Sequence, residues 1–155
     1  MAYSEILKNI YLFKEFTHEE LEPIQKLCRV GKANNGDTIF FQGDEAKSLF
    51  IVQFGSVHVQ QKAKNDDNIE VTMLGTGSHF GEMPFLDGER RSATVLAAEK
   101  SEIIEIDYEN LKKYLSTNST VSSKFYKNIA GFLCGRLRMT TTDLSFAREK
   151  NLHHF

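Results

Sequence analysis

Glu82 and Arg91 stand nine residues apart in the run Phe80–Val95, FGEMPFLDGERRSATV, and they are the residues best suited to chemistry in this chain. A guanidinium offers a planar fork of donors that matches phosphate oxygens. An ionised carboxylate accepts from hydroxyls. Gly81, just before the acid, lets the backbone come close to whatever is bound, and Met83 opens a short apolar turn after it. A small ligand carrying both sugar hydroxyls and a negative charge, a sugar phosphate, satisfies this pair. A purely structural alternative stays open: Glu82 and Arg91 form an ion pair that closes the loop. Ser92 and Thr94 alternate with apolar neighbours and also read as plain strand residues, Thr94 more so.

The elements that must hold this loop are short β runs. From Gly31 to about Asp107 the chain alternates strand-like segments with glycine or Asn/Asp turns: Thr38–Phe41, Ser48–Phe54, Ser56–Gln61, Ile69–Leu74, Ser92–Ala97 and Glu102–Asp107. Val57-His58-Val59-Gln60 and Ile69-Glu70-Val71-Thr72 show the two-residue alternation of half-buried strands. This punctuation predicts a β-sandwich or jelly roll. Flanking it are helical regions. Residues 4–30 carry a capping-box pair, Thr17 with Glu20, ahead of Leu21, Ile24, Leu27 and Cys28. Pro23 inside that pattern predicts a helix that is kinked or begins nearer the proline. Asp107 is placed to cap a helix through Leu115, and Ser116–Thr120 is a polar break.

A second C-terminal helix is predicted over Val121–Asn151, about 45 Å at 1.5 Å per residue. Ala130, Leu133, Leu137, Thr140, Leu144 and Ala147 recur at alternating spacings of three and four, the rhythm of a helix packed on a helix. Phe125, Ile129, Phe132, Met139 and Phe146 form a second stripe. Two stripes predict two partners, the β body and another subunit. A single wide stripe facing the core is the alternative.

Bulk properties bound the rest. The 155 residues make one domain, 41% hydrophobic and 26% charged, with twelve Phe and no Trp. The net charge of −2 and the lack of a long basic run argue against a nucleic-acid surface. The N-terminal stretch carries charges and no small-residue cleavage site, and no window reaches the ~18 apolar residues of a membrane span. The expected compartment is the cytoplasm. Cys28 and Cys134 lack metal spacing and are expected to be reduced, the first in the core and the second on a helix face.

With FGE…RSATV as its most specific part, nearly the whole chain resembles the cyclic-nucleotide-binding domain. That module is shared by bacterial catabolite-activator proteins, kinase regulatory subunits and nucleotide-gated channels. The spacing of Gly36, Gly43, Gly55, Gly75 and Gly77 is similar to that of its antiparallel β-roll. The resemblance implies an α+β fold over 1–155: N-terminal helices (1–30), a β-roll of about eight strands (31–107) holding a phosphate-binding cassette (80–95), and C-terminal helices (108–155). It implies that Glu82 accepts from the ribose 2′-hydroxyl, that Arg91 pairs with the cyclic phosphate, and that Ser92 touches phosphate or guanine. It also implies that backbone N–H groups after Gly81, at Met83 and onward, face the phosphate.

Further on, Arg136-Leu137-Arg138-Met139-Thr140-Thr141 resembles the helix stretch where hydroxyls meet adenine. By that likeness Thr140 is an own-subunit contact and Thr141 a cross-subunit one, although a threonine run is also commonly solvated or bonded back to its own helix.

The likeness has one departure. Pro84 stands where most members donate a backbone N–H to the phosphate, a loss of about 1.5–3 kcal/mol if nothing replaces it, or roughly ten- to a hundredfold in affinity. Arg90, where many members have proline, is expected to face water, the alternative being that its charge compensates for the lost donor.

Three functions compete. The first is a regulatory module that binds cAMP in preference to cGMP, with no further cofactor. It signals through its C-terminal helix to a homodimer mate or an effector protein, without contacting nucleic acid or membrane. The second is a degenerate cassette acting as a protein–protein adaptor. The third is a cupin-type metalloenzyme, which would need clustered histidines. Of His18, His58, His79, His153 and His154, only the last two are close in sequence, and they lie outside the β region. The chain ends at Phe155 with no helix-turn-helix, kinase, cyclase or channel segment, so direct DNA binding is not expected, and the chain acts alone on a partner or is a piece of something larger.

Overall fold

The computed structural model describes residues 3–152. Eight strands form two four-stranded antiparallel sheets flanked by helices, the expected α+β β-roll. The strands are β1 (Arg29–Ala33), β2 (Thr38–Phe40), β3 (Ser48–Phe54), β4 (Ser56–Lys62), β5 (Asn68–Gly75), β6 (His79–Phe80), β7 (Thr94–Ala97) and β8 (Ser101–Asp107). One sheet runs β1-β8-β3-β6 and the other β2-β7-β4-β5. The helices are α1 (Ser4–Lys8), α2 (His18–Leu27), α3 (Met83–Asp87), α4 (Tyr108–Ser116) and α5 (Ser119–Leu152), with a 3₁₀ turn at Tyr11–Phe13.

Strands β3 and β8 are buried on both faces, and two-residue alternation divides their side chains between two cores. Phe50, Val52 and Ile103 meet Val57, Phe80 and Val95 between the sheets. Leu49, Ile51, Ile104 and Ile106 face the other way, against α2, α4 and α5. The phenylalanines serve both: Phe50 stacks on Phe80 with centroids 5.3 Å apart, while Phe85 meets Phe125 edge-on at 5.5 Å. The cassette is thereby wedged between two packed layers.

Several boundaries differ from the sequence reading. β1 begins at Arg29, inside the segment expected to be helical to Val30; it is held by antiparallel pairing with β8, from Arg29 opposite Glu105 to Ala33 opposite Ser101. The two-residue β6 was not foreseen; it is too short for any periodicity and exists by pairing with β3. β7 begins at Thr94, so Ser92 and Ala93 are a bend before the strand. The Thr94 hydroxyl accepts from the Gln42 N–H at 2.8 Å, a strand-edge role.

Helix α2 starts at His18 rather than near Pro23. The complete capping box of Thr17 and Glu20 fixes that start, worth about 1 kcal/mol, and Pro23 is carried inside the helix. Cys28 sits at the end of α2, only partly buried, its thiol pushed up to about 12 by burial; Cys134 is exposed, and both are free.

The Asn118 side chain accepts from the N–H groups of Thr120 and Val121 and so caps α5. The first turns of α5 are anchored: Val121, Phe125 and Ile129 are fully buried, and Asn128 donates to the carbonyls of Leu12 and Lys14 at 3.1 and 2.7 Å. Beyond Gly135 the helix leaves the body. Leu137, Met139, Leu144 and Phe146 are 51–68% exposed. The two stripes thus divide along the helix more than around it, because the β-roll reaches only its N-terminal part. No helix among the described residues is long and apolar enough to cross a membrane.

Candidate functional site

Arg91 is positioned by its backbone before its side chain. Its N–H donates to the Asp44 carbonyl at 2.9 Å and its own carbonyl accepts from Gly43 at 2.8 Å, so the β2–β3 turn clamps it. The guanidinium then runs into the protein, with the residue only 5% exposed. Nη2 donates to the Ser48 carbonyl at 2.7 Å; Nη1 donates to the Gly81 carbonyl at 3.2 Å and to the Tyr108 hydroxyl at 3.3 Å. The group lies 4.1 Å over the Phe40 ring. Nε has no partner. Among the described residues no carboxylate makes an ion pair with it. Burial lowers the Arg91 pKa, offset in part by Tyr108. A buried cation without a counter-ion is costly unless an anion completes it.

The Glu82–Arg91 ion pair that would close the loop is therefore not formed. Glu82 is 5% exposed, and its Oε1 lies 3.4 Å from Nδ1 of His79. The two charged side chains are kept separate by the loop between them. Gly81 adopts φ +79°, and a Cβ there would stand 2.7 Å from Arg91 Nη1. Only glycine fits that approach. The Tyr108 hydroxyl, at the first position of α4, also donates to the Gly81 carbonyl. Burial pushes this phenol up to about 12, so it remains a donor. After Glu82 the chain turns into α3, which Gly88 ends with φ +69° and an N–H to the Pro84 carbonyl at 2.9 Å. Pro84 occupies the first turn, where the ring is sterically acceptable and brings no N–H.

A cavity of about 430 Å³ opens above these groups. Phe40, Val59, Leu74 and Val95 line it from the β-roll, residues 81–84 and 91–93 from the cassette, and Phe132, Leu133, Arg136, Leu137 and Thr140 from α5. Its walls are largely apolar around a few convergent polar groups, the usual make-up of a small-molecule site.

Six of the seven residues singled out from the sequence meet at this cavity: Gly81, Glu82, Met83, Arg91, Ser92 and Thr140. Thr141 does not line it. Its hydroxyl, like those of Thr140 and Thr142, donates to the carbonyl four residues back. Arg90 is exposed and donates to the Gly43 carbonyl at 3.2 Å.

Four features escaped the sequence reading. Tyr108 followed a strand as an ordinary helix-start residue, and nothing local marks its reach back to Gly81. Phe40 fell inside the β run Thr38–Phe41 and Phe132 in the second stripe of the C-terminal helix, neither marked as a site residue. His79 was weighed only as a metal ligand, whereas its place directly before Phe80-Gly81-Glu82 could have marked it. Among the described residues no cluster of His, Cys, Asp and Glu could hold a metal ion; His153 and His154 lie outside them.

The family model of the cyclic nucleotide-binding domain matches residues 31–118, more than half of the chain. The cyclic AMP receptor protein of Thermus thermophilus is 28% identical over 148 residues, which cover 94% of this chain and 67% of that protein. The crystal structure of Thermus thermophilus catabolite activator protein superposes with a TM-score of 0.77 at 27% identity, over 88% of this chain and 62% of that one. Glutaminase 1 of Bradyrhizobium diazoefficiens is 28% identical over 126 residues, 81% of this chain but 20% of the enzyme. The chain spans only part of each relative.

Proposed function

Because the chain belongs to the cyclic nucleotide-binding domain family, we propose that it is a regulatory module whose cavity under α5 takes cAMP in preference to cGMP. The observation that carries this reading is Arg91: a buried guanidinium, paired with carbonyls and a ring but with no carboxylate, its Nε free beside a cavity. An anionic cyclic phosphate supplies the missing charge. Glu82, held apart from Arg91, accepts from the ribose 2′-hydroxyl; Gly81, Met83 and Ser92 shape the phosphate end. Thr140 from α5 meets the base. Its hydroxyl already donates to Arg136, so it receives the adenine amino group as an acceptor. Likeness to a cyclic AMP receptor supports adenine over guanine.

The output is α5. A ligand touching both cassette and helix shifts the helix only through a difference in affinity between its positions. The exposed row Leu137, Leu144 and its neighbours is suited to a second copy of the chain, in which Thr141 would reach the partner's cavity; an effector protein is the other recipient of the signal. The module performs no chemistry of its own and works in the cytoplasm, away from membrane and nucleic acid.

Calorimetric titration with cAMP and cGMP tests this directly. Binding of both is expected, cAMP more tightly, with a loss of about a hundredfold or more in Arg91→Ala. Absence of heat with either nucleotide, or an unaffected Arg91→Ala, sinks the reading. Pro84 favours a second one, an adaptor of the same fold that binds no nucleotide. A chain that gives no heat yet captures a protein partner equally well with Arg91 or Ala would establish it.

A further inference from the structure

A second cavity, of about 460 Å³, borders Leu74, Phe132, Arg136 and Thr140, which also line the first. Its remaining walls come from β5, β6 and the segment around the 3₁₀ turn, and no cassette residue reaches it. The group there that lacks a partner is His79. Its side chain is 3% exposed, and neither ring nitrogen makes a hydrogen bond. Glu82 does not serve, for its Oε1 lies 3.4 Å from Nδ1 without forming the bond. Phe132, with its ring centroid 4.2 Å away, presents only an apolar ring to the imidazole. Buried polar groups in folded proteins are paired with protein, water or ligand, so an unpaired one marks a place for something bound. A single water fills about 30 Å³, and this cavity is far larger.

The rest of the lining indicates the kind of occupant. Tyr11, Thr72 and Ser78 bring hydroxyls and Asn9 brings an amide. Like a neutral imidazole, each of these both donates and accepts, and a ligand hydroxyl does the same. Arg136 and Asp143 stand about two turns apart on α5 and balance one another, so the lining favours no net charge. Tyr11 and Phe132 pair with centroids 5.6 Å apart and offer aromatic surface to the apolar C–H face of a sugar ring. An apolar wall with a few polar groups that fix orientation is the make-up of a small-molecule site.

We propose that this cavity is a second ligand site, for a neutral polyhydroxylated molecule of monosaccharide size, with His79 as its buried hydrogen-bonding anchor. The proposal does not rest on the nucleotide reading of the first cavity. One ring nitrogen donates and the other accepts, so neighbouring hydroxyls of one sugar satisfy both. The occupant sits against the same stretch of α5 that borders the first cavity.

NMR titration of the full chain with glucose, galactose, mannose and ribose tests this, each sugar taken to about 100 mM, which saturates a millimolar site. At least one sugar is expected to give saturable shifts of the Thr72, Gly77 and Ser78 amides, residues that line the second cavity and not the first. His79→Phe keeps a planar ring against Phe132 and should weaken binding at least tenfold. Thr72→Val removes one hydroxyl at nearly constant volume and should weaken it about three- to tenfold, which keeps the test decisive should His79→Phe fail to fold. Arg91→Ala should leave sugar affinity unchanged. No saturable shift with any of the four sugars overturns the proposal, as does full affinity in both His79→Phe and Thr72→Val. Loss of sugar binding in Arg91→Ala puts the sugar in the first cavity and overturns it too. A response to inorganic phosphate and not to the sugars overturns the assignment of a neutral ligand.

Discussion

The cassette and the outer part of α5 solve opposite problems. Around Gly81 and Arg91 the polar groups are buried, and all but a few are already satisfied by fixed partners: Ser48, Gly81 and Tyr108 for the guanidinium, Asp44 and Gly43 for its backbone. From Arg136 onward the helix presents Leu137, Met139, Leu144 and Phe146 to water, while Arg136, Leu137, Met139, Thr140 and Asp143 border the cavities. One region is assembled by folding; the other is left uncovered by the β-roll. On the function proposed above, folding energy prebuilds the recognition site and leaves the outer helix free to change neighbours.

The sharpest way to break the first region is Gly81→Ala. A methyl group 2.7 Å from Arg91 Nη1, on a backbone of positive φ, displaces the guanidinium and strains the turn. Nucleotide affinity is expected to fall about a hundredfold, with a lower melting temperature, in titration and thermal unfolding. Retained affinity would mean that the cassette adjusts freely and is not prebuilt.

Alkali probes the same region. With the Tyr108 phenol pushed up to about 12 against an unfolded value near 10, the folded chain holds a proton that the unfolded chain releases. Stability from this group is complete below pH about 10 and is lost as pH rises toward 12, by about 2–3 kcal/mol in total. Denaturant unfolding at stepped pH should show this decline, and Tyr108→Phe should be less stable at neutral pH but decline less steeply.

Pro84→Ala sharpens the comparison in the other direction. It restores an N–H in the first turn of α3, and affinity for cAMP should improve about tenfold, the value of one hydrogen bond to a charged acceptor. An unchanged affinity would show that the phosphate does not face that turn.

The smallest effect on folding should come from the second region. Leu137→Glu combined with Leu144→Glu alters side chains that are 67% and 51% exposed, so the free energy of unfolding of the isolated chain should change by about 0.5 kcal/mol or less per site. Sedimentation velocity should nonetheless show loss of any self-association of the chain. A marked loss of stability without a change in mass would instead place these residues in an intrachain contact.

Sequence made the cassette readable because its chemistry is local. Glu82, Arg91, Gly81 and Ser92 lie within one short run, and their types alone suggest a phosphate and a sugar. Strand alternation placed most of the sheet for a similar reason, since period-two burial is written residue by residue. Contacts between distant segments were less legible. Tyr108 reaches Gly81 across 27 positions, and Ser48 meets Arg91 across 43, through the fold and not through any pattern. β1 and β6 were missed because pairing, and not their own composition, makes them strands. The two stripes on α5 were visible, yet which of their residues the body covers depends on where the β-roll ends in space. Periodicity does not carry that information.

Geometry gives the exposed length of α5 a mechanical meaning. Phe132 rests on His79 at the cavity wall, and about 20 residues of unbroken helix follow it to Leu152, about 30 Å at 1.5 Å per residue. A tilt of about 10° with Phe132 as fulcrum carries the far end through about 5 Å, enough to move it a full helical turn along a neighbour. The helix is in this sense a pointer. On the proposed function, ångström-scale differences at the binding site would be read out at its tip, with its length setting the gain.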